Sequence, residues 1–131
     1  MILDTSFLLD LKDGDDAAFQ RATAFYERNV VQRVPTPVVA ELQYGVAYAE
    51  SEEEHRRVRN LLLMYPVVDL DEATARRAGD LLAAADLAAD GDSGVDTVDG
   101  FVAAVAAQYD EPVVTANERG FDALGVAVET Y

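Results

Sequence analysis

Apolar and polar residues alternate along the chain in two kinds of segment. Short runs rich in β-branched and aliphatic residues predict five strands, at residues 1–3, 30–34, 66–70, 112–115 and 126–129. The segments between them carry apolar residues at helical spacing and predict helices, at residues 5–10, 16–29, 37–50, 52–65, 72–89, 97–109 and 117–124. Strands that alternate with helices indicate an α/β fold with a parallel sheet and helices on both faces. No repeat or linker interrupts this pattern, so we expect one domain over residues 1–131.

The first ten residues carry the first candidate for chemistry. An apolar strand ends in Asp4, Thr5 and Ser6, and a helical run follows. Open α/β sheets place reactive groups at the carboxyl ends of their strands, which makes Asp4 a candidate site residue. The competing interpretation is that Asp4 or Thr5 only caps the next helix, since Asp, Ser and Thr are favoured at that position.

Two further acids strengthen the first interpretation. Glu41 lies at the edge of the apolar stripe of a helix that Thr36 is predicted to cap, so we expect it to be half-buried beside a cleft. The alternative is an ordinary solvated acid. Asp99 stands in the first turn of the most apolar helix, where an interaction with the helix dipole is the alternative role. No Lys or Arg occurs between positions 77 and 119, and a buried carboxylate without a basic partner needs hydrogen bonds, a proton or a metal ion.

Other candidates surround these acids. Asp96 precedes Asp99 by three residues and is either the N-cap of the same helix or a second ligand. Residues 115–119 follow the fourth predicted strand and therefore also lie at a carboxyl end. Several acids at strand ends, with no His or Cys among them, make a hard oxygen-ligand site. Such a site suits Mg²⁺ or Mn²⁺, ions that commonly pair with phosphates.

The charge of the chain is unusual for a protein with such a site. Asp and Glu number 25 against 10 Lys and Arg, a formal net charge of -15, and Lys12 is the single lysine. This acidic, alanine-rich composition resembles proteins of salt-loaded, halophilic cytoplasms, in which screening removes most of the self-repulsion. The chain has no cysteine and no apolar run long enough to span a bilayer. We therefore expect a cytoplasmic protein without disulfides or a membrane partner.

Four segments together resemble the PIN-domain ribonucleases, and within them the VapC toxins of toxin–antitoxin pairs. They are Ile-Leu-Asp-Thr-Ser at 2–6, Thr-Pro-Val-Val-Ala-Glu-Leu-Gln-Tyr-Gly at 36–45, Asp-Gly-Phe-Val-Ala-Ala-Val-Ala at 99–106 and Val-Val-Thr-Ala-Asn at 113–117. The resemblance covers essentially the whole chain in the family's order and spacing. It implies a three-layer α/β/α sandwich around a mostly parallel sheet, with Asp4, Glu41 and Asp99 as three of the family's metal-binding acids.

The fourth acid is where the sequence departs from the family. Family members often read Thr-x-Asp or Thr-x-Asn, with Asp-Phe a few residues later, whereas this chain has Asn117 followed by Gly120-Phe121. Asn117 offers a neutral oxygen or orients a water, but it supplies no charge. Glu118, Asp122 and Asp96 remain open as compensating acids.

The resemblance implies a Mg²⁺- or Mn²⁺-dependent endoribonuclease, the toxin of a type II toxin–antitoxin pair. Its partners would be an RNA substrate, a small antitoxin protein and a second copy of the chain in a homodimer. In this interpretation Asp4, Glu41, Asp99 and Asn117 form the catalytic site, and the bound ion activates a water. Hydroxyl groups and a base that adjoin the strand ends are expected to support them, namely Thr5, Ser6, Thr115 and Arg119.

Two other classes stay open. A phospho-acceptor domain of the receiver type would use Asp4 as its nucleophile, but it usually needs a late lysine, and none follows Lys12. A non-catalytic, partner-binding PIN-like domain is compatible with the missing fourth acid. Metal-dependent RNA cleavage by the pure protein would distinguish the enzyme from this second alternative.

The two central helices suggest where a protein partner would dock. We expect an antitoxin to bring Arg or Lys to the acids and to dock apolar residues on the helices from Thr36 to Tyr65. Grooves are expected there at Leu42, Val46, Tyr48, Leu61 and Leu62. The one basic cluster, at positions 55–59, follows three glutamates at helical spacing. Surface ion pairs are therefore favoured over an RNA or antitoxin contact there.

Overall fold

The fold comprises seven helices and five very short strands, described by a computed structural model that covers residues 1–131. The strands are β1 (Ile2–Leu3), β2 (Val34–Pro35), β3 (Val67–Val68), β4 (Val113–Val114) and β5 (Val128–Glu129). The helices are α1 (Thr5–Lys12), α2 (Asp16–Glu27), α3 (Thr36–Ala49), α4 (Glu52–Leu62), α5 (Glu72–Ala88), α6 (Thr97–Tyr109) and α7 (Glu118–Ala123). None of these helices is long and apolar enough to cross a membrane.

All strand pairs are parallel, and β1 lies at the centre. β1, β4 and β5 are neighbours in that order, β2 pairs with β3, and a bridge between Ile2 and Arg33 joins the two groups. Ile2 pairs with Val113 and Leu3 with Val114. Successive strand residues point to opposite faces, and both Ile2 and Leu3 are fully buried, so helices cover the sheet on both sides. The predicted α/β/α architecture and parallel sheet are confirmed.

Helix α6 is the most deeply buried helix, as its apolar sequence predicted. Residues 102–106 of this helix are all buried, and α5 packs along it. Gly100 permits the close approach, because a Cβ at this position would lie 2.5 Å from Cγ of Leu82. The packing fixes the first turn of α6, and with it Asp99, relative to the end of the sheet.

The second strand begins later than its sequence predicts. Val30 and Val31 lie outside β2 despite their β-branched side chains, and the parallel ladder starts at Arg33, whose N–H donates to the carbonyl of Met1. The residues before it complete the turn after α2, where Asn29 adopts φ 57° and the Val30 N–H donates to Phe25. Chain reversal therefore overrides local β-propensity in this segment.

Two smaller expectations are wrong. Thr36 is the first residue of α3 rather than its cap, and its Oγ1 accepts a hydrogen bond from the N–H of Leu70 at 3.2 Å. Three of the residues expected to offer grooves to an antitoxin, Leu42, Val46 and Leu61, are buried in the core and do not form open surface. Tyr48 stays exposed.

Within the basic cluster on α4, Arg57 forms the predicted surface ion pairs. The Arg57 guanidinium lies 2.7 Å from Glu53 and 3.4 Å from Glu54. Lys12 of α1 also contacts Glu54, at 2.5 Å. The Arg57 pairs stabilise α4 internally, and the Lys12 pair joins α4 to α1. Two of the few basic residues therefore have structural roles.

Candidate active site at the carboxyl end of the sheet

Asp4 follows β1 directly and is almost completely buried, with 4% of its surface exposed. Its backbone occupies the N-cap position of α1, but its side chain makes no capping hydrogen bond. Instead, Oδ2 accepts from the Thr115 hydroxyl at 2.7 Å and from the Ser6 hydroxyl at 3.1 Å. The alternative of Asp4 as a side-chain helix cap is therefore wrong, and the carboxylate is oriented by hydroxyls from two chain segments.

The hydroxyl groups of Thr115 and Ser6, which donate to Asp4, also accept hydrogen bonds from backbone N–H groups. Thr115 Oγ1 accepts from the Asn117 N–H at 2.9 Å, and Ser6 Oγ accepts from the Ala116 N–H at 3.1 Å. The two hydroxyl oxygens lie 3.2 Å apart. This network joins the carboxyl ends of β1 and β4 and satisfies one oxygen of Asp4. The other, Oδ1, accepts no hydrogen bond from the protein.

Glu41 faces the same end of the sheet from α3. It is half-buried, as predicted, and its Oε1 accepts a hydrogen bond from the Thr5 hydroxyl at 2.5 Å. Thr5 is the first residue of α1, so this bond ties α1 to α3. A carboxylate held in this way points toward the cleft between the helices rather than into bulk solvent.

Asp99 is the most perturbed acid of the group. Burial, followed by the negative charges of Asp4, Asp96 and Glu41, raises its pKa from an ordinary value of 3.8 to about 7, while a hydrogen bond from Asn117 opposes the shift. The donor is the Asn117 amide, whose Nδ2 lies 3.0 Å from Asp99 Oδ2. We call Asp4, Glu41 and Asp99 the acid cluster; within it, neutral groups are the only hydrogen-bond donors.

Of the remaining candidates from the sequence, one affects the acid cluster through its charge and the others do not. Asp96 caps α6, with its Oδ1 accepting from the Val98 N–H at 2.8 Å, yet its charge still acts on Asp99. Glu118 and Asp122 are exposed on α7 and do not contribute to the raised pKa of Asp99. Arg119 is also exposed and forms no ion pair with the acids. Of the proposed compensating acids, Asp96 alone adds charge near the acid cluster.

Gly120 is a site residue that the sequence interpretation missed. Asn117 folds back over it, and its Oδ1 accepts from the Gly120 N–H at 3.3 Å. A Cβ at position 120 would lie 2.6 Å from Asn117 Nδ2, the atom that donates to Asp99. The two departures from the family pattern, Asn117 and Gly120, are therefore structurally linked. Their joint occurrence was the available signal.

A cleft of about 670 Å³ opens beside the acid cluster, between α1, α3 and α6. Glu41 and Thr5 form one side of it, and the remaining lining is largely apolar: Leu9, Pro37, Ala40, Tyr44, Val98 and Phe101. Tyr44 lies one helical turn after Glu41, and Phe101 follows Asp99 by two residues. Sequence spacing alone places Tyr44 and Phe101 near the two acids. The cleft itself depends on how three helices pack and could not be predicted in this way.

The family of the chain follows from its sequence as a whole. The model of the PIN domain matches residues 1–127. The chain belongs to the PIN-domain family. The resemblance inferred from four short segments is thereby confirmed over nearly the full length. No curated protein matches the chain.

Solved structures that resemble this PIN domain include components of toxin–antitoxin complexes. One is from the VapBC2 complex of Rickettsia felis bound to a promoter DNA fragment, with a TM-score of 0.83, 20% identity, and coverage of 99% of this chain and 97% of that one. A second is from DNA-bound VapBC of Salmonella typhimurium, with a TM-score of 0.78, 25% identity, and coverage of 98% and 96%. FitAcB of Neisseria gonorrhoeae gives a TM-score of 0.72, 24% identity, and coverage of 97% and 94%.

The acid cluster of this PIN domain fits a divalent cation in chemistry and in charge. Its donors are carboxylate oxygens, with hydroxyl and amide oxygens nearby, and no basic side chain offsets their charge. Such donors suit Mg²⁺ or Mn²⁺. No three acidic side chains lie in an arrangement that could hold a metal ion, so the fit rests on the chemistry and charge of the donors and not on their geometry.

Proposed function

We propose that the chain is a metal-dependent endoribonuclease and the toxin of a type II toxin–antitoxin pair. The observation that carries the proposal is the acid cluster at the carboxyl end of the sheet, which has neutral groups as its only hydrogen-bond donors. Burial and the charges of the neighbouring acids raise the pKa of Asp99, and no basic group offsets them. Clustered acids of this kind are costly to a fold unless they serve a site. Membership of the PIN-domain family and the likeness to chains of VapBC complexes support this assignment.

In this proposal Asp4, Glu41 and Asp99 hold a Mg²⁺ or Mn²⁺ ion, directly or through water. When bound, the ion lowers the pKa of a water and offsets charge on the phosphoryl oxygens. One carboxylate of the acid cluster accepts the proton of that water. Thr115 and Ser6 keep Asp4 in position, Thr5 does the same for Glu41, and Asn117 for Asp99. Arg119 is free to contact the RNA backbone.

The partner proteins follow from the same assignment. A small antitoxin would bring a guanidinium or ammonium group to the acid cluster, where its positive charge takes the place of the metal; a guanidinium also pairs bidentately with carboxylates. Antitoxin and metal would then weaken each other's binding by the same factor. The second partner is another copy of the chain, in a homodimer, and the site of action is a salt-rich cytoplasm.

The direct test is cleavage of RNA by the purified chain, with and without Mn²⁺. We expect metal-dependent cleavage that Asp4→Asn reduces by more than about 100-fold, a larger loss than that typical for residues that only support a ligand. Asp80→Asn is the matched control, since Asp80 is an exposed acid on α5 without an ion pair. Cleavage by Asp4→Asn at the rate of the unaltered chain would contradict the proposed role of Asp4.

A second candidate function is a non-catalytic PIN domain that binds partners. The observation that favours it is the neutral Asn117, which donates to Asp99 where the family often has another acid. Under this alternative the chain would bind an antitoxin-like protein but would leave RNA intact at every Mn²⁺ concentration. The cleavage assay above therefore distinguishes the two functions.

A further inference from the structure

The residues at and after β5 contact the two segments that carry the hydroxyl donors of Asp4, namely the end of β4 and helix α1. β5 is parallel to β4, so the carboxyl ends of the two strands lie side by side. There the Glu129 carbonyl accepts a hydrogen bond from the Thr115 N–H at 3.2 Å. Tyr131 follows and lies beyond residues 1–127, which the PIN-domain model matches. Its contacts are therefore not part of what the family match describes.

Tyr131 connects the segment after β5 to helix α1 by a polar and an apolar contact. Its hydroxyl donates to Oδ2 of Asp10 at 2.5 Å. Its ring packs edge-on against the fully buried ring of Phe7, with centroids 5.0 Å apart and planes at 70°. Burial, followed by the hydrogen bond to Asp10 and the charge of Asp10, raises the pKa of the Tyr131 hydroxyl. The phenol therefore keeps its proton, and remains a donor to Asp10, throughout the neutral pH range.

Asp10 is poorly placed for the stability of α1 itself. It lies in the last turn of this helix, where a negative charge interacts unfavourably with the helix dipole. The Tyr131 hydroxyl is the one side-chain donor to its carboxylate, and the bond spans 121 residues. Since the helix gains nothing from an acid at this position, the contribution of Asp10 lies in its contact with Tyr131.

The same contact reaches the acid cluster through Ser6. Asp10 and Ser6 are four residues apart and lie on one face of α1. The Tyr131 hydroxyl therefore lies beside Ser6 as well, and the Ser6 hydroxyl opposes the rise in its pKa. Ser6 itself donates to Oδ2 of Asp4 at 3.1 Å. A continuous set of contacts thus leads from Tyr131, through the first turns of α1, to Asp4.

We propose that Tyr131 is a positioning residue for Asp4, because it fixes α1 and so keeps the Ser6 hydroxyl where it donates to the Asp4 carboxylate. The inference rests on the proposed metal-dependent function and adds to its site a residue from outside the acid cluster. Tyr131 touches neither the metal nor the substrate. Without its hydroxyl, α1 would be less restrained, and Asp4 would sample more orientations and bind a divalent ion more weakly.

The test compares Tyr131→Phe with Tyr65→Phe, since each change removes one hydroxyl and keeps the ring. Tyr65 is also partly buried against the core, but its hydroxyl has no carboxylate partner. Isothermal titration with Mn²⁺ should show about 5-fold weaker binding by Tyr131→Phe, less than the roughly 10–100-fold loss typical of residues that contact a ligand directly. At subsaturating Mn²⁺ the rate of RNA cleavage should fall by a similar factor. Tyr65→Phe should change neither quantity.

A third variant distinguishes positioning through Ser6 from a general structural effect. Ser6→Ala removes a hydroxyl that donates to Asp4, and we expect it to weaken Mn²⁺ binding about 10-fold. If Tyr131 acts through Ser6, Tyr131→Phe should weaken Mn²⁺ binding by less than about twofold more in the Ser6→Ala background. A structural role that is independent of Ser6 would instead give the full loss in both backgrounds.

Equal Mn²⁺ binding by Tyr131→Phe and Tyr65→Phe, or an undiminished loss in the Ser6→Ala background, would overturn the proposal. The titration requires no RNA, so its outcome is independent of cleavage. A chain that binds Mn²⁺ but leaves RNA intact would refute the proposed nuclease function alone, and the titration would still decide the role of Tyr131. A chain that binds no Mn²⁺ would refute both.

Discussion

The charged side chains at the two ends of the parallel sheet differ in whether an opposite charge within the chain compensates them. At the amino end, Glu111 pairs with the Arg33 guanidinium at 3.1 Å, and that guanidinium lies 4.5 Å over the Tyr109 ring. At the carboxyl end, Asp4 and Asp99 receive hydrogen bonds from neutral groups alone. The first arrangement is complete without any other molecule. The second leaves a negative charge that a cation from outside the chain would neutralise, which is the physical basis of the proposed site.

The largest effect that follows from this difference is an unusual pH dependence of stability. Because the folded-state pKa of Asp99 is about 7 and its ordinary value is 3.8, the folded chain retains a proton that the unfolded chain releases between these values. Without metal, the free energy of unfolding should therefore fall as pH rises through this window. Asp99→Asn should remove most of the fall and stabilise the metal-free chain at pH 8, by about 2 kcal/mol once solvent screening at this half-buried position is included.

Urea unfolding at pH 5 and pH 8 in the presence of a chelator would measure this effect. Asp80→Asn again serves as the control, since its carboxyl is exposed on α5. Equal pH dependence in Asp99→Asn and in the unaltered chain would contradict the electrostatic account of the acid cluster.

At the amino end of the sheet, removing a charged side chain should lower stability instead of raising it. Arg33→Ala removes one of the two partners of Glu111, whose other carboxylate oxygen pairs with the Met1 amino group at 2.8 Å. We expect a loss of about 1–2 kcal/mol of stability, from one partly exposed ion pair and the contact of Arg33 with the Tyr109 ring, and unchanged RNA cleavage. Arg76→Ala is the control, because its pair with Glu72 is 3.8 Å long and highly exposed. Equal melting temperatures for Arg33→Ala and Arg76→Ala would contradict the proposed difference between the two ends of the sheet.

A smaller effect should follow from disturbing the neutral donor of Asp99. Gly120→Ala places a Cβ where the Asn117 amide lies, so Asn117 must move and its hydrogen bond to Asp99 is lost. We expect activity to fall about 10-fold, as for other residues that orient a metal ligand, with stability within about 1 kcal/mol of the original. Gly79→Ala is the control, since nothing lies within 4 Å of a Cβ there. Equal kcat/KM in the two variants would assign no role to Asn117.

The smallest expected effect is general rather than local. A net charge of -15 should make the chain less stable at low salt, because ions screen its self-repulsion. The melting temperature should rise by several degrees between low and molar KCl, the shift expected for roughly 1 kcal/mol in a chain of this length. A melting temperature that is flat or falls with KCl would refute the interpretation of this composition as halophilic.

The sequence predicted those features of the fold that depend on local pattern. Alternating strands and helices, the burial of α6 and the half-burial of Glu41 all follow from periodicity, and the structure has them. The start of β2 was wrong because the turn after α2, and not the preference of Val30 and Val31 for strands, determines where pairing begins. Leu42, Val46 and Leu61 were wrongly expected to offer grooves, because they belong to the buried core.

The acids of the candidate site could be predicted from the sequence, but their contacts could not. Asp4 was identifiable from its position at a strand end, whereas its bond to Thr115 spans 111 residues and depends on the pairing of β1 with β4. The same holds for the contact of Thr5 with Glu41 and for the cleft at Tyr44, which require three helices to be placed in space. Sequence periodicity sets the face of a helix, and tertiary packing decides what that face meets.

The central claim, that the carboxyl end of the sheet binds a cation, is tested most directly by thermal unfolding with Mn²⁺. At a metal concentration of about 100 times Kd, binding to the folded state alone adds about 2.7 kcal/mol. We predict that Mn²⁺ raises the melting temperature of the unaltered chain beyond a KCl control of equal ionic strength, and that Asp4→Asn and Asp99→Asn lose this excess. Equal shifts in Mn²⁺ and KCl, or an excess that survives in both variants, would contradict the account.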